Sequence, residues 1–133
     1  MSEEKKIKVV LLEPGKLART AEIGTSIEDL QNAVDGLIEP FYPFEEQVCI
    51  VCNDEGKING MLPNRSVKNK DGVMVDFIFG PAFICDCRGE SFDSLSDEQI
   101  ACYTKMFRYP EHLARLNGKL IGIPFNPQRE HER

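Results

Sequence analysis

Val48-Cys49-Ile50-Val51-Cys52-Asn53-Asp54-Glu55-Gly56-Lys57-Ile58-Asn59-Gly60-Met61-Leu62-Pro63-Asn64-Arg65 is the stretch on which the fold turns. Its first five residues are apolar without alternation, the pattern of a strand covered on both faces. Asn53 to Gly56 is turn chemistry, because asparagine and aspartate bond their own backbone and glycine accepts positive φ. Lys57 to Leu62 then reads as a second, shorter returning strand, which leaves Asn64 and Arg65 beside Pro63 on a short loop.

Upstream, Ile38 to Phe44 is aromatic and extended, but Pro40 and Pro43 cannot donate ladder hydrogen bonds, which marks an edge strand or irregular arm. Ile7 to Leu12 is apolar on both faces and suits a central strand. Glu13-Pro14-Gly15-Lys16 supplies a turn, and the alternation through Leu17, Arg19, Ala21 and Ile23 suits a strand with one wet face. Ser26 with Asp29 resembles a capping box, Ile27, Leu30 and Val34 form one helical stripe, and Gly36 is predicted to close that helix.

Downstream, Ser66 to Asp71 is polar and loop-like. Val73 to Cys87 carries the longest β signal, with Val73, Val75, Phe77 and Phe79 on one face and Gly80-Pro81 predicted as a bulge or bend before Phe83 to Cys87. Ser96 with Gln99 is a second capping signal, and Ile100, Tyr103 and Phe107 are the stripe of a helix that must stop before Pro110. Asn117-Gly118 is a hairpin turn, with Lys119 to Ile123 as its returning strand.

These pieces predict a single α+β domain over residues 1–133, with 1–6 and 126–133 as frayed tails. The expected architecture is a mostly antiparallel twisted sheet of about five to seven short strands, with two helices, near 27–35 and 97–107, packed on one face. The chain of 133 residues is 41% apolar and 29% charged, ordinary for a globular protein. A net charge of −6 opposes phosphate backbones, so nucleic acid is disfavoured as a partner, although Arg65, Lys68 and Lys70 lie close together. No stretch approaches the roughly 20 apolar residues of a membrane span, and the N-terminus lacks signal-peptide features; a cytoplasmic protein with five reduced cysteines is expected.

Cys49, Cys52, Cys85 and Cys87 superficially resemble a four-thiolate zinc site. Residues three apart on a strand point to opposite faces, so Cys49 and Cys52 are expected to pack rather than chelate, and neither metal nor cofactor is expected. His112 and His131 are too isolated for a metal site or a nucleophile pair, and no catalytic set of acid, base and nucleophile can be assembled. Asn64 and Arg65 remain as ligand anchors for a carboxylate or phosphate, with Phe77, Phe79 and Phe83 as walls of an apolar pocket. The alternative is structural: Asn64 capping a turn, Arg65 paired with Asp76 or Asp86, and the three phenylalanines packed in the core.

The series Ile-Lys-Val-Val-Leu-Leu-Glu-Pro-Gly-Lys (7–16), Cys-Asn-Asp-Glu-Gly-Lys (52–57), Leu-Pro-Asn-Arg (62–65), Phe-Gly-Pro-Ala-Phe-Ile (79–84) and Leu-Ser-Asp-Glu-Gln-Ile (95–100) resembles the uncharacterised family DUF3846 over about Ile7 to Pro124. Glu13, Pro14, Gly15, Gly56, Asn64, Arg65, Gly80 and Pro81 are the family-like positions, and the cysteines fall outside the pattern. Members are typically encoded by bacteriophages and conjugative elements. The resemblance implies an accessory protein of a mobile element that acts non-enzymatically by binding an unknown protein or small molecule. Two narrower expectations stand beside it: a protein that binds or sequesters a small anionic, nucleotide-like ligand, and an acidic-surface inhibitor of a host defence or restriction protein.

Overall fold

The computed structural model describes residues 5–130. Its centre is a five-stranded, wholly antiparallel sheet made of β1 (Lys6–Leu12), β2 (Arg19–Gly24), β3 (Ile38–Phe41), β4 (Val48–Asn53) and β7 (Ala82–Asp86). The order across the sheet is β2-β1-β7-β4-β3. β7 pairs with both neighbours, placing Ile84 opposite Val10 on one side and Ile50 on the other. All three side chains are fully buried, as an unalternated apolar run requires when both faces are covered. Pro40 lies in β3 at the sheet edge, where its missing N–H costs no ladder bond.

Two separate two-stranded ladders complete the β structure: β5 (Pro63–Lys68) with β6 (Met74–Phe79), and β8 (Glu111–Leu116) with β9 (Lys119–Pro124). The α+β class and antiparallel character are as expected, and the central sheet has five strands. The helices are not on one face. Helix α1 (Ile27–Val34) contributes Leu30 and Val34 to a cluster with Ile7, Val9, Cys49, Val51, Phe83 and Cys85. Helix α2 (Asp97–Met106) contributes Tyr103, followed by Phe107, to the opposite cluster around Val10, Leu12, Val48, Ile50 and Ile84. Continuous apolar runs on β1, β4 and β7 expose hydrophobic side chains on both sides of the sheet, and each side needs its own helix.

Local sequence explains the helix ends. The Ser26 hydroxyl accepts from the Asp29 amide at 3.0 Å. Ser96 and Gln99 form a reciprocal capping box, the second bond running from the Ser96 amide to Gln99 Oε1 at 2.9 Å. α1 stops one residue earlier than its glycine predicts: Asp35, not Gly36, takes the left-handed conformation, with φ 61°. Buried Asn53 fixes this end by donating to the carbonyls of Val34 and Asp35 at 3.1 and 3.0 Å.

Three sequence expectations are corrected between residues 57 and 81. Lys57 to Leu62 is a loop, not a strand; the returning strand begins at Pro63 and runs to Lys68, through residues expected to be loop. Gly80-Pro81 is not a bulge within one long strand. Gly80 has φ 83°, and there the chain leaves the β5–β6 ladder and enters the centre of the main sheet as β7. The hairpin turn at Asn117-Gly118 is as expected, with φ 51° and 81° and Leu116 opposite Lys119. Of the tails expected to fray, Lys6 lies in β1 and Pro127–Glu130 form one helical turn, while residues 1–4 and 131–133 lie outside the described residues.

Candidate functional site

Asn64 and Arg65 are almost completely buried, at 0% and 1% exposure. A buried guanidinium must fill its donor fork, because an unpaired buried charge is far costlier than a paired one. Arg65 does so with oxygens from three segments. Its Nε donates to the Tyr109 carbonyl at 3.1 Å, one terminal nitrogen to the Lys16 carbonyl at 2.7 Å, and the other to Asn64 Oδ1 and, at 3.5 Å, the Glu13 carbonyl. Asn64 completes the network by donating to the carbonyls of Leu12 and Gly80 at 2.9 and 2.8 Å. The pair thus ties β5 to the β1–β2 turn, to the entrance of β7 and to the segment after α2. Burial pulls the Arg65 pKa down to about 10, with the Glu111 carboxylate working against that. The ion pairs considered for Arg65 do not form: Asp76 binds Lys57 at 2.8 Å, and Asp86 binds Arg88 at 2.8 Å.

The five residues suggested by the sequence do not converge on one pocket. Phe77 and Phe79 lie on the same face of β6 with ring centres 5.4 Å apart and tilted by 51°, and Phe77 lies under the β8–β9 hairpin, close to Gly122. Phe83 is fully buried in the α1-side cluster, edge-on to Phe92.

Arg65 instead lines a groove of about 830 Å³ on the α2 side of the molecule. The floor is core aromatic surface: Phe44 lies 4.7 Å from Tyr103 and 6.2 Å from Phe107 between ring centres. One wall is the loop carrying Glu45 and Glu46; the facing wall is β5 and its turn, carrying Ser66, Lys68 and Lys70; Tyr109 and Glu111 also line it. Lys70 reaches Glu45 at 2.9 Å from one wall to the other, both side chains being 81% exposed. The three basic residues that lie near one another in sequence therefore share a cavity, with Arg65 buried and the two lysines exposed.

Two polar features of this groove were not foreseen. Glu46 accepts hydrogen bonds from the Tyr103 hydroxyl and from Gln99 Nε2, which hold its carboxyl below the ordinary range; burial and that same bond push the Tyr103 phenol up. Ser66 is 5% exposed, and its Oγ has no hydrogen-bond partner among the described residues, while its amide donates to Glu111 Oε1 at 3.0 Å. A Cβ on Gly122 would overlap that same carboxylate oxygen, so glycine there lets Glu111 fold across β9 and reach β5. The advance signal for this site is the closeness of Arg65, Lys68 and Lys70 in the sequence; Glu45-Glu46, directly after the half-buried Phe44, adds the acidic wall.

Strand alternation divides the cysteines. Cys49 and Cys85 face each other with sulfurs 3.8 Å apart in the α1-side cluster, whereas Cys52 points to the other face and donates to the Glu39 carbonyl at 3.4 Å. Burial raises the Cys52 pKa to about 11, which disfavours a ligating thiolate. Among the described residues no group of three or more His, Cys, Asp or Glu side chains is placed to hold a metal ion. His112 stacks flat on Phe125, ring centres 4.0 Å apart, outside the groove lining. No helix among the described residues is long and apolar enough to cross a membrane.

No curated protein and no solved structure matches this chain. The family model described as Domain of unknown function (DUF3846) does match, over residues 7–108, from the second residue of β1 to the segment following α2. That span includes Asn64, Arg65 and most of the groove, and it stops before the β8–β9 hairpin. The chain belongs to the DUF3846 family.

Proposed function

We propose that this protein works by binding, as an accessory factor of a phage or other mobile element, and that its ligand occupies the groove between α2 and the β5–β6 ladder. The supporting observation is the groove itself: about 830 Å³, within the roughly 300–1,000 Å³ of small-molecule sites, with an aromatic floor and charged walls. The ligand class that fits is an amphipathic anion of nucleotide-like size. Its apolar body would lie on Phe44 and Met106, and its anionic group would meet Lys68 and Lys70, displacing the exposed Glu45 from Lys70. Ser66 Oγ is an unused polar group on the same wall. Arg65 has one of its five N–H groups left after four hydrogen bonds, so its part is to hold the wall in shape rather than to seize the anion.

Thermal-shift measurements with pools of nucleotides and aromatic carboxylates test this reading. A ligand at 100 times its Kd adds about 2.7 kcal/mol of stability. Cys102 is exposed on the groove wall, so Cys102→Trp should obstruct the groove and reduce the shift without lowering the melting temperature of the free protein. If no pool raises the melting temperature, or the shift persists unchanged in Cys102→Trp, the reading fails.

A further inference from the structure

The β8–β9 hairpin lies outside the family match and has two unlike faces. Glu111, Leu113 and Gly122 share the face turned to β5 and Phe77. His112, Ala114, Ile121 and Ile123 share the other, where Ile123 is 46% exposed. Among the described residues β9 pairs only with β8, and no strand lies beside its second edge.

The backbone groups on that open edge follow from the turn. In a two-residue hairpin the flanking residues, here Leu116 and Lys119, exchange hydrogen bonds, and every second pair outward does the same. The Phe125 amide bonding the Pro110 carbonyl at 3.0 Å continues this alternation. Lys119, Ile121 and Ile123 therefore direct their backbone groups toward β8, and Leu120, Gly122 and Pro124 direct theirs to the free edge. The edge presents N–H groups at Leu120 and Gly122, carbonyls at all three positions, and no N–H at Pro124.

We propose that β9 pairs antiparallel with β9 of a second copy of this chain, with Gly122 on the two-fold axis. In this register Gly122 exchanges hydrogen bonds with its own counterpart, and each Leu120 amide donates to the opposite Pro124 carbonyl. Each outward N–H thus finds an acceptor, and proline stands where the register places the pair's terminal donor. Residues directly opposite in an antiparallel ladder share a face, so Ile121 of one copy meets Ile123 of the other and the exposed apolar stripe continues across four strands. β9 carries no acidic residue and one lysine, at its far end, so no like charges are opposed across the axis. An open strand edge is a template for such pairing. The inference is independent of the groove reading, because the contact uses the free edge of β9, none of whose residues lines the groove.

Sedimentation velocity over a concentration series, from low micromolar to millimolar, should show a monomer–dimer equilibrium. Leu120→Pro removes an outward N–H while sparing the β8–β9 ladder, and should sediment as a monomer throughout. The register is read by mixing Ile121→Cys and Ile123→Cys chains in a Cys102→Ser background and oxidising with diamide. A disulfide-linked heterodimer should form in the mixture, and each variant alone should remain without a cross-link. Circular dichroism checks that every variant is folded. A parent chain that is monomeric to millimolar concentration, a dimer undiminished by Leu120→Pro, or cross-linking no greater in the mixture than in the separate variants overturns the proposal.

Discussion

Replacing Arg65 by methionine tests whether this residue is a structural clamp. The substitution keeps an unbranched apolar stem but removes four donated hydrogen bonds, three to backbone carbonyls and one to Asn64. Hydrogen bonds from a charged donor are worth about 1.5–3 kcal/mol each. Four of them set a gross loss of roughly 6–12 kcal/mol. Against this stands relief of the buried charge: a guanidinium held at a pKa of about 10 rather than 12.5 costs about 3 kcal/mol at ~1.36 kcal/mol per pKa unit. Water reaching some of the freed carbonyls reduces the difference further, and a net loss of about 3–5 kcal/mol is expected, the range for breaking a buried charged network. For a chain of this size that is a large share of the roughly 5–15 kcal/mol of total stability. Urea unfolding followed by far-ultraviolet circular dichroism should show the midpoint falling with the slope unchanged. Arg65→Lys should recover less than half of the loss, since an ammonium cannot span three segments with a planar fork. A methionine variant within about 1 kcal/mol of the parent, or a lysine variant as stable as the parent, would refute the clamp; an undiminished stability combined with lost ligand shifts would return Arg65 to the role of anchor.

Glu46 and Tyr103 make stability depend on pH at both ends, Glu46 chiefly through its bond from Tyr103, and Tyr103 through burial and then that bond. The folded Glu46 pKa lies below its ordinary 4.5, so its contribution is present above that value and fades as pH falls through the lowered one; the Tyr103 pKa lies above its ordinary 10, so its contribution is whole below 10 and fades as pH rises beyond. Tyr103→Phe should flatten both flanks of the melting-temperature profile between pH 3 and 11 relative to the parent, and parallel profiles would count against the bond. Asp35→Gly should stabilise by roughly 0.5–1 kcal/mol, because Asp35 caps α1 at φ 61°, where glycine carries no Cβ penalty; a lower urea midpoint would contradict this.

The elements that were legible in the sequence are those whose partners are local. Ser96 and Gln99 bond each other, Asn117-Gly118 imposes its own turn, and the apolar run of Val48 to Cys52 needs only cover on both faces, whatever provides it. Asn64 and Arg65 stand out in the sequence as a polar pair beside Pro63, where they read as loop residues open to a ligand, and their buried surroundings are invisible there: their hydrogen-bond acceptors include carbonyls up to 52 residues away in the chain. Polar residues signalled a loop where tertiary contacts made a buried strand, and the same misreading moved β5 six residues upstream. The groove was illegible for a related cause. Its floor is made of Phe44, Tyr103 and Phe107, of which Tyr103 and Phe107 read as packing residues and Phe44 only as the end of an extended arm, and it is a cavity because β5 and β6 leave the main sheet. Nothing local encodes that departure except Gly80-Pro81, which is equally compatible with a bulge.

The place of β7 in the sheet has a consequence for how the chain is made. β1 and β4 are neighbours of β7 and not of each other, so the first half of the protein emerges from the ribosome with a vacant slot down the middle of its sheet. Until residues 82–86 appear, Val10, Leu11, Ile50 and Val51 line two unpaired edges. Such edges pair readily with the wrong strand, and closing them requires contacts more than seventy residues apart, between Val10 and Ile84. Nascent chains ending before Asp86 should therefore be the aggregation-prone species in synthesis, and the late arrival of one five-residue strand sets when the sheet can fold.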